Sequence, residues 1–239
     1  MLAHRGGGQE RVDELRDRLS DLSWFMKSLN EPIARRANKE DGCTGRFWEG
    51  RFKSQAILDE GAALACGIYI DLNQVRAGVA ETPEASDFTS AQARIRARQA
   101  EAKLEAIEAE RPELAADVRD SIVRPLDVER RRASWLTPIG DEGSHLPGLA
   151  LDRYLELLDW TGRQLAAGKR GAIPANLAPI LQRLDLDVRT WLDGVSSLGR
   201  RFRRVIGQAS AITAEAARAG RQWLHGLSAA RSLFREAPS

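Results

Sequence analysis

The chain is poor in the residues that build compact metal and redox sites. Histidine occurs three times, at His4, His145 and His225, and no His-x-His pair exists anywhere. That excludes a metal site founded on two imidazoles of one short strand. Cysteine occurs twice, at Cys43 and Cys66, too few for a disulfide framework or a four-thiolate zinc site. Neither belongs to a C-x-x-C pair, so both are expected to be structural. No run approaches the roughly 18 apolar residues of a membrane span. The start, MLAHRGGGQERVDELRDR, lacks the apolar stretch of a secretory signal. A cytoplasmic protein with no membrane partner is the expectation. The formal net charge of +2 is too small to argue for nucleic acid by its sum, because binding depends on clustering.

What is present is enough apolar residue, 43% of 239, to bury one sizeable core or two modest ones. Val12, Leu15, Leu19, Leu22, Phe25, Met26, Leu29 and Ile33 recur at three- and four-residue steps and predict a helix over 11–36, with Pro32 kinking or ending it. From 46 to 57 the period changes. Trp48, Phe52, Ala56 and Leu58 alternate with Phe47, Arg51, Lys53 and Gln55, which predicts a strand with Trp48 and Phe52 on its core face.

Asp59 caps a second predicted helix that runs to about Val79, burying Leu64, Ile68, Leu72, Val75 and Val79. A charged helix over 89–110 follows. The proline- and glycine-rich stretch 124–148 is the best linker. Beyond it helices are expected at 151–167, 174–184 and 187–234, the last as one long helix or as two broken near Gly207 or Gly220. Trp24, Trp135, Trp160, Trp191 and Trp223 are expected to anchor cores.

Two groups of residues carry chemistry. Tyr69, Asn73 and Arg76 are four and three residues apart, which on one helix puts them in a row at the edge of the apolar stripe. A tyrosine there can pack its ring while its hydroxyl faces a groove, as a nucleophile must, although most boundary tyrosines are structural. From Arg200 to Arg221 six arginines stand against one acid, Glu215. This is either a solvated helix face or a phosphate-binding stripe. Arg46, Arg51 and Lys53 have the same two readings on the predicted strand.

The run Arg46-Phe-Trp-Glu-Gly-Arg-Phe-Lys-Ser-Gln55, followed by Tyr69-Ile-Asp-Leu-Asn-Gln-Val-Arg-Ala-Gly78, resembles the REP-associated tyrosine transposases. In these single-tyrosine enzymes of the HUH kind, a tryptophan-bearing strand precedes a helix reading Tyr-x-x-x-Asn-Pro-Val-Arg-Ala-Gly. The likeness covers about residues 20–95. Residues 148–206 look like the C-terminal extension of one branch of that family.

The resemblance implies a mostly α chain that keeps a remnant of an α+β, ferredoxin-like domain over 1–110, a linker over 111–147 and a helical extension over 148–239. It implies that Tyr69 attacks a phosphate of single-stranded or hairpin DNA, leaving a 5′-phosphotyrosine and a free 3′-hydroxyl, in a nucleoid-associated protein. Asn73 would stand where the family places a helix-borne group beside Mg²⁺ or Mn²⁺. Arg46, Arg51, Lys53, Arg76, Arg200, Arg201, Arg203 and Arg204 would contact DNA.

The sequence departs from the family in two places. Gln74 replaces the proline after the asparagine, and the histidine pair that holds the metal is missing. The expectation is therefore a chain that binds no metal alone, binds DNA weakly and cuts nothing unless a second chain completes the site. A frame upstream of Met1 is expected to encode the missing histidine-bearing strand. A domesticated DNA-binding regulator and a non-functional fragment are the competing readings.

Overall fold

A computed structural model describes residues 6–110, 116–141, 144, 146, 148–166, 181–182, 184 and 186–235. The chain is mostly helical and divides into two compact units, Met1–Ser54 and Gln55–Ser239. Among the described residues no helix is long and apolar enough to cross a membrane.

The first unit holds α1 (Gly6–Ser20) and α2 (Leu22–Glu40). The helix expected over 11–36 is therefore two. Asp21 is extended and its carboxylate accepts from the Trp24 amide, so a good N-cap interrupts the apolar period. Pro32 lies inside α2 without ending it. The Ser28 carbonyl that loses its partner is on an exposed turn, where water can satisfy it. Helix α2 buries none of its residues.

The strand expected over 46–57 is absent up to Gln55, and residues 41–55 form a turn, bends and irregular chain. The alternation of Trp48 and Phe52 is overridden because, within this unit, the described residues offer no partner strand. Trp48 instead donates its indole N–H to the Asn30 carbonyl at 3.0 Å and stays 40% exposed.

The second unit opens with β1 (Ala56–Ile57), α3 (Glu60–Asp71) and α4 (Asn73–Arg76). A 3-10 turn (Pro83–Ala85), α5 (Ser90–Glu110), α6 (Ala116–Arg131) and α7 (Leu151–Ala166) follow. The unit continues with α8 (Trp191–Arg201), β2 (Val205–Ile206), α9 (Ala209–Arg218) and α10 (Leu227–Leu233). Part of the expected linker is thus helix α6, which packs along α5. The short helix expected over 174–184 falls largely outside the described residues.

Helix α3 is the hub. Ala62, Leu64, Ala65 and Ile68 are wholly buried, as is Leu72 just after it; a Leu or Ile so enclosed contributes about 1.5–3 kcal/mol. Against them lie Leu157 and Leu158 of α7 and Val195 and Leu198 of α8. Trp191 of α8 is fully buried and donates its indole N–H to the Thr161 hydroxyl of α7 at 3.1 Å. β1 pairs with β2 in parallel, Ala56 beside Val205 and Ile57 beside Ile206. The 187–234 helix is broken by this strand and by a loop over 219–226.

Candidate nucleic-acid interface

The tyrosine helix begins where the sequence places its cap. The Asp59 carboxylate accepts from the Ala62 amide at 2.8 Å with one oxygen. Its other oxygen accepts from the Gln208 amide at 2.7 Å, at the start of α9. One side chain thus serves two helix N-termini, whose unpaired N–H groups and dipoles favour an anion.

At its other end α3 stops at Asp71, and Leu72 (φ −92°, ψ 9°) separates it from α4. Across the break Arg76 still lies over Tyr69. Asn73 is exposed, Val75 is buried and Val79 is 74% exposed rather than in the core. Gly78 takes φ +70° and closes the turn.

Tyr69 is half-buried. The guanidinium carbon of Arg76 stands 4.0 Å from its ring centroid, and Arg76 Nη2 donates to the Ser196 carbonyl of α8 at 3.1 Å. The Tyr69 hydroxyl lies against Gly199. A Cβ built there would be 2.5 Å from the hydroxyl oxygen, so only glycine permits this approach. Among the described residues no hydrogen bond holds the Tyr69 hydroxyl.

Gly199 is followed by the basic cluster. Arg200 and Arg201 occupy the last turn of α8, where a cation suits the helix dipole. Arg203 and Arg204 precede β2. All four are exposed, and among the described residues none forms an ion pair. Phe202, buried between them, anchors the turn. The Ala56 amide donates to the Arg204 carbonyl at 2.8 Å, and Gln55 Nε2 donates to the Phe202 carbonyl at 2.7 Å. Arg218 differs, being paired with Glu215 at 2.6 Å.

Arg46, Arg51 and Lys53 belong to the first unit and are exposed. Within that unit Arg51 and Lys27 line a groove of about 480 Å³ with Trp24, Trp48 and Phe52. The Lys27 ammonium lies 4.9 Å from the Trp24 ring centroid.

Other residues carry no motif in the sequence. The second tyrosine, Tyr154 of α7, is buried and donates to the Asp71 carboxylate at 2.7 Å. Ser90 donates to the other Asp71 oxygen. Burial first, then the Asp71 charge, hold the Tyr154 hydroxyl well above the usual tyrosine range. These groups line a cavity of about 230 Å³ with Arg94. A buried Asp two residues from Tyr69 gives no sequence signal. The β-branched pair Val205-Ile206 before Gly207 does, and marks the missed strand.

The tryptophans divide. Trp191 is core, but Trp24, Trp135 and Trp223 are 41%, 77% and 67% exposed, not the anchors expected. Cys66 is partly buried, which pushes its thiol up, and Cys43 is exposed.

Among the described residues no donor set for a histidine-held Mg²⁺ or Mn²⁺ comes together. His225 lies in the loop after α9, while His4 and His145 fall outside the described residues. Asn73 stands exposed on α4, and among the described residues no three His, Cys, Asp or Glu side chains converge. No protein-family model, curated protein or solved structure matches the chain.

Proposed function

We propose that this chain is a DNA-binding protein of the single-tyrosine transposase kind, with Tyr69 in the nucleophile's place and the arginines after Gly199 as its phosphate contacts. The observation that carries the reading is their convergence. Tyr69 and Arg76 lie against α8 where Arg200, Arg201, Arg203 and Arg204 begin, more than a hundred residues away in sequence. Four exposed guanidinium groups that have no carboxylate partner among the described residues are suited to neutralising a strand's phosphates and releasing its counterions. Arg46, Arg51 and Lys53 are further contacts in this reading, and the β1–α3 segment is the remnant of an α+β, ferredoxin-like domain over 1–110. The 148–239 extension, after the 111–147 linker, then supplies the main charge of the interface in a cytoplasmic, nucleoid-associated protein.

In the family's chemistry the Tyr69 oxygen bonds to phosphorus and the bond to the 3′-oxygen breaks. The tyrosine proton passes to solvent and the released 3′-oxygen takes one up. Among the described residues the metal's donors do not assemble, and in this reading the chain alone binds DNA and leaves it intact. Binding without cutting is also what a domesticated regulator requires.

Anisotropy titrations of a hairpin oligonucleotide over a range of salt test the reading. The wild type binds, and changing all four arginines to alanine lowers the salt slope by up to about three, at about 0.7 per phosphate contact on a single strand. Incubation in Mg²⁺ or Mn²⁺ yields no covalent adduct. An unchanged slope refutes the interface, and an adduct lost in Tyr69→Phe refutes the inactivity.

A further inference from the structure

The loop over 219–226 between α9 and α10 holds an aromatic that the core does not use. Trp223 is 67% exposed, although its neighbour Leu224 is buried in the core. Leu224 pins the loop while the indole faces solvent. Arg221 and His225, on either side, are also exposed, and among the described residues no ion pair engages them.

The loop returns to the arginine turn at a defined point. Gly226, at φ +120°, lies against Phe202, where an added Cβ would come within 2.9 Å of the ring. Phe202 is the residue between Arg201 and Arg203. Three residues of extended chain reach at most about 10 Å, so Trp223 stays within that distance of the Gly226 contact.

We propose that Trp223 is a stacking platform for an unpaired nucleobase, set beside the phosphate-binding arginines of the 200–204 turn. An indole offers a flat π-face that accepts any base. A basic groove flanked by such a face is the usual means of holding a single strand without reading its sequence. A paired base, stacked on its neighbours, cannot use the platform. The site lies in the C-terminal region and needs neither a free Tyr69 nor a metal, but it rests on the reading that the arginine turn binds nucleic acid.

The test compares wild type, Trp223→Ala, Trp223→Phe and the four-arginine alanine variant. The probes are a short single-stranded oligonucleotide, the same sequence as a duplex, and an abasic strand of equal length. Trp223 is exposed, so Trp223→Ala is expected to keep the wild-type circular dichroism and unfolding midpoint. Its affinity for the single strand is expected to fall about five- to a hundredfold, the range for loss of one base–aromatic stack. Trp223→Phe recovers most of that loss, and binding to the duplex and the abasic strand does not change. Equal affinity of Trp223→Ala and wild type for the single strand, with the arginine variant weakened, overturns the platform and leaves the interface standing. Equal losses on the single and abasic strands overturn it as well, because the effect is then not stacking. Absence of binding by the wild type overturns both readings.

Discussion

The Arg76 guanidinium covers the Tyr69 ring at 4.0 Å from its centroid while also donating to the Ser196 carbonyl. Two contacts from one side chain tie the end of the tyrosine helix to α8. The approach depends on Gly199, because a Cβ there would meet the tyrosine hydroxyl at 2.5 Å. Arg76→Ala is expected to cost about 1–2 kcal/mol in urea unfolding, from one cation–π contact and one hydrogen bond. Gly199→Ala is expected to cost about 1–3 kcal/mol through overpacking. The colliding atom is the hydroxyl oxygen, so the same change in a Tyr69→Phe background is expected to cost less. Strict additivity of the two substitutions would show that Tyr69 does not occupy this slot.

Tyr154 contrasts with Tyr69. Buried and bonded to Asp71, it is held protonated, with its hydroxyl well above the usual tyrosine range. In the unfolded chain the same group ionises near pH 10. Between these two values the unfolded state loses a proton that the folded state keeps, so stability falls as pH rises. The contribution is full below about pH 10 and disappears as pH climbs through the folded value. Urea midpoints measured from neutral to strongly alkaline pH are expected to show this decline in the wild type. Tyr154→Phe is expected to be less stable at neutral pH by about 1–3 kcal/mol, since the buried Asp71 carboxylate loses a donor. It is also expected to decline less above pH 10. Parallel curves for the two proteins would contradict the burial of this hydroxyl.

Much of the second unit was legible from periodicity. The Asp59 cap and the buried stripe Leu64, Ile68, Leu72 and Val75 were all readable, because a helix packed on one face repeats its apolar residues every three or four positions. What was not legible was decided by contacts distant in sequence. The β1–β2 pair is two residues long on each side and joins segments about 150 residues apart, too short to leave a period-two pattern. The meeting of Tyr69 with Gly199 has no local signature either, since a glycine near a helix end is ordinarily a cap. The 46–55 stretch failed in the opposite way. Its alternation is real, but a strand needs a partner for its backbone groups, and bends and irregular chain replace it here. The exposure of Trp223 has no local signal, because tryptophan is highly buried on average.

Asp59 is the residue on which the position of the arginine turn depends. One of its oxygens accepts from Ala62 at the start of α3, and the other from Gln208 just beyond β2. Together with the two-residue sheet, this carboxylate fixes the tyrosine helix to the segment that carries Arg203 and Arg204. Hydrogen bonds to a charged acceptor contribute about 1.5–3 kcal/mol each, and Asp59 is only partly buried, so Asp59→Ala is expected to cost about 2–4 kcal/mol. Asparagine keeps one acceptor oxygen and replaces the other with a donor, so Asp59→Asn retains one of the two bonds and is expected to lose about half as much. If the clamp aligns the arginines with Tyr69, Asp59→Ala at a temperature where it remains folded also binds the hairpin oligonucleotide more weakly. Asp59→Asn falls between it and the wild type. The substitution removes a negative charge near the interface, which alone would strengthen binding to DNA. Weaker binding by Asp59→Ala therefore cannot be an effect of net charge and reports lost alignment, whereas tighter binding would mean that the arginines hold their places without the clamp.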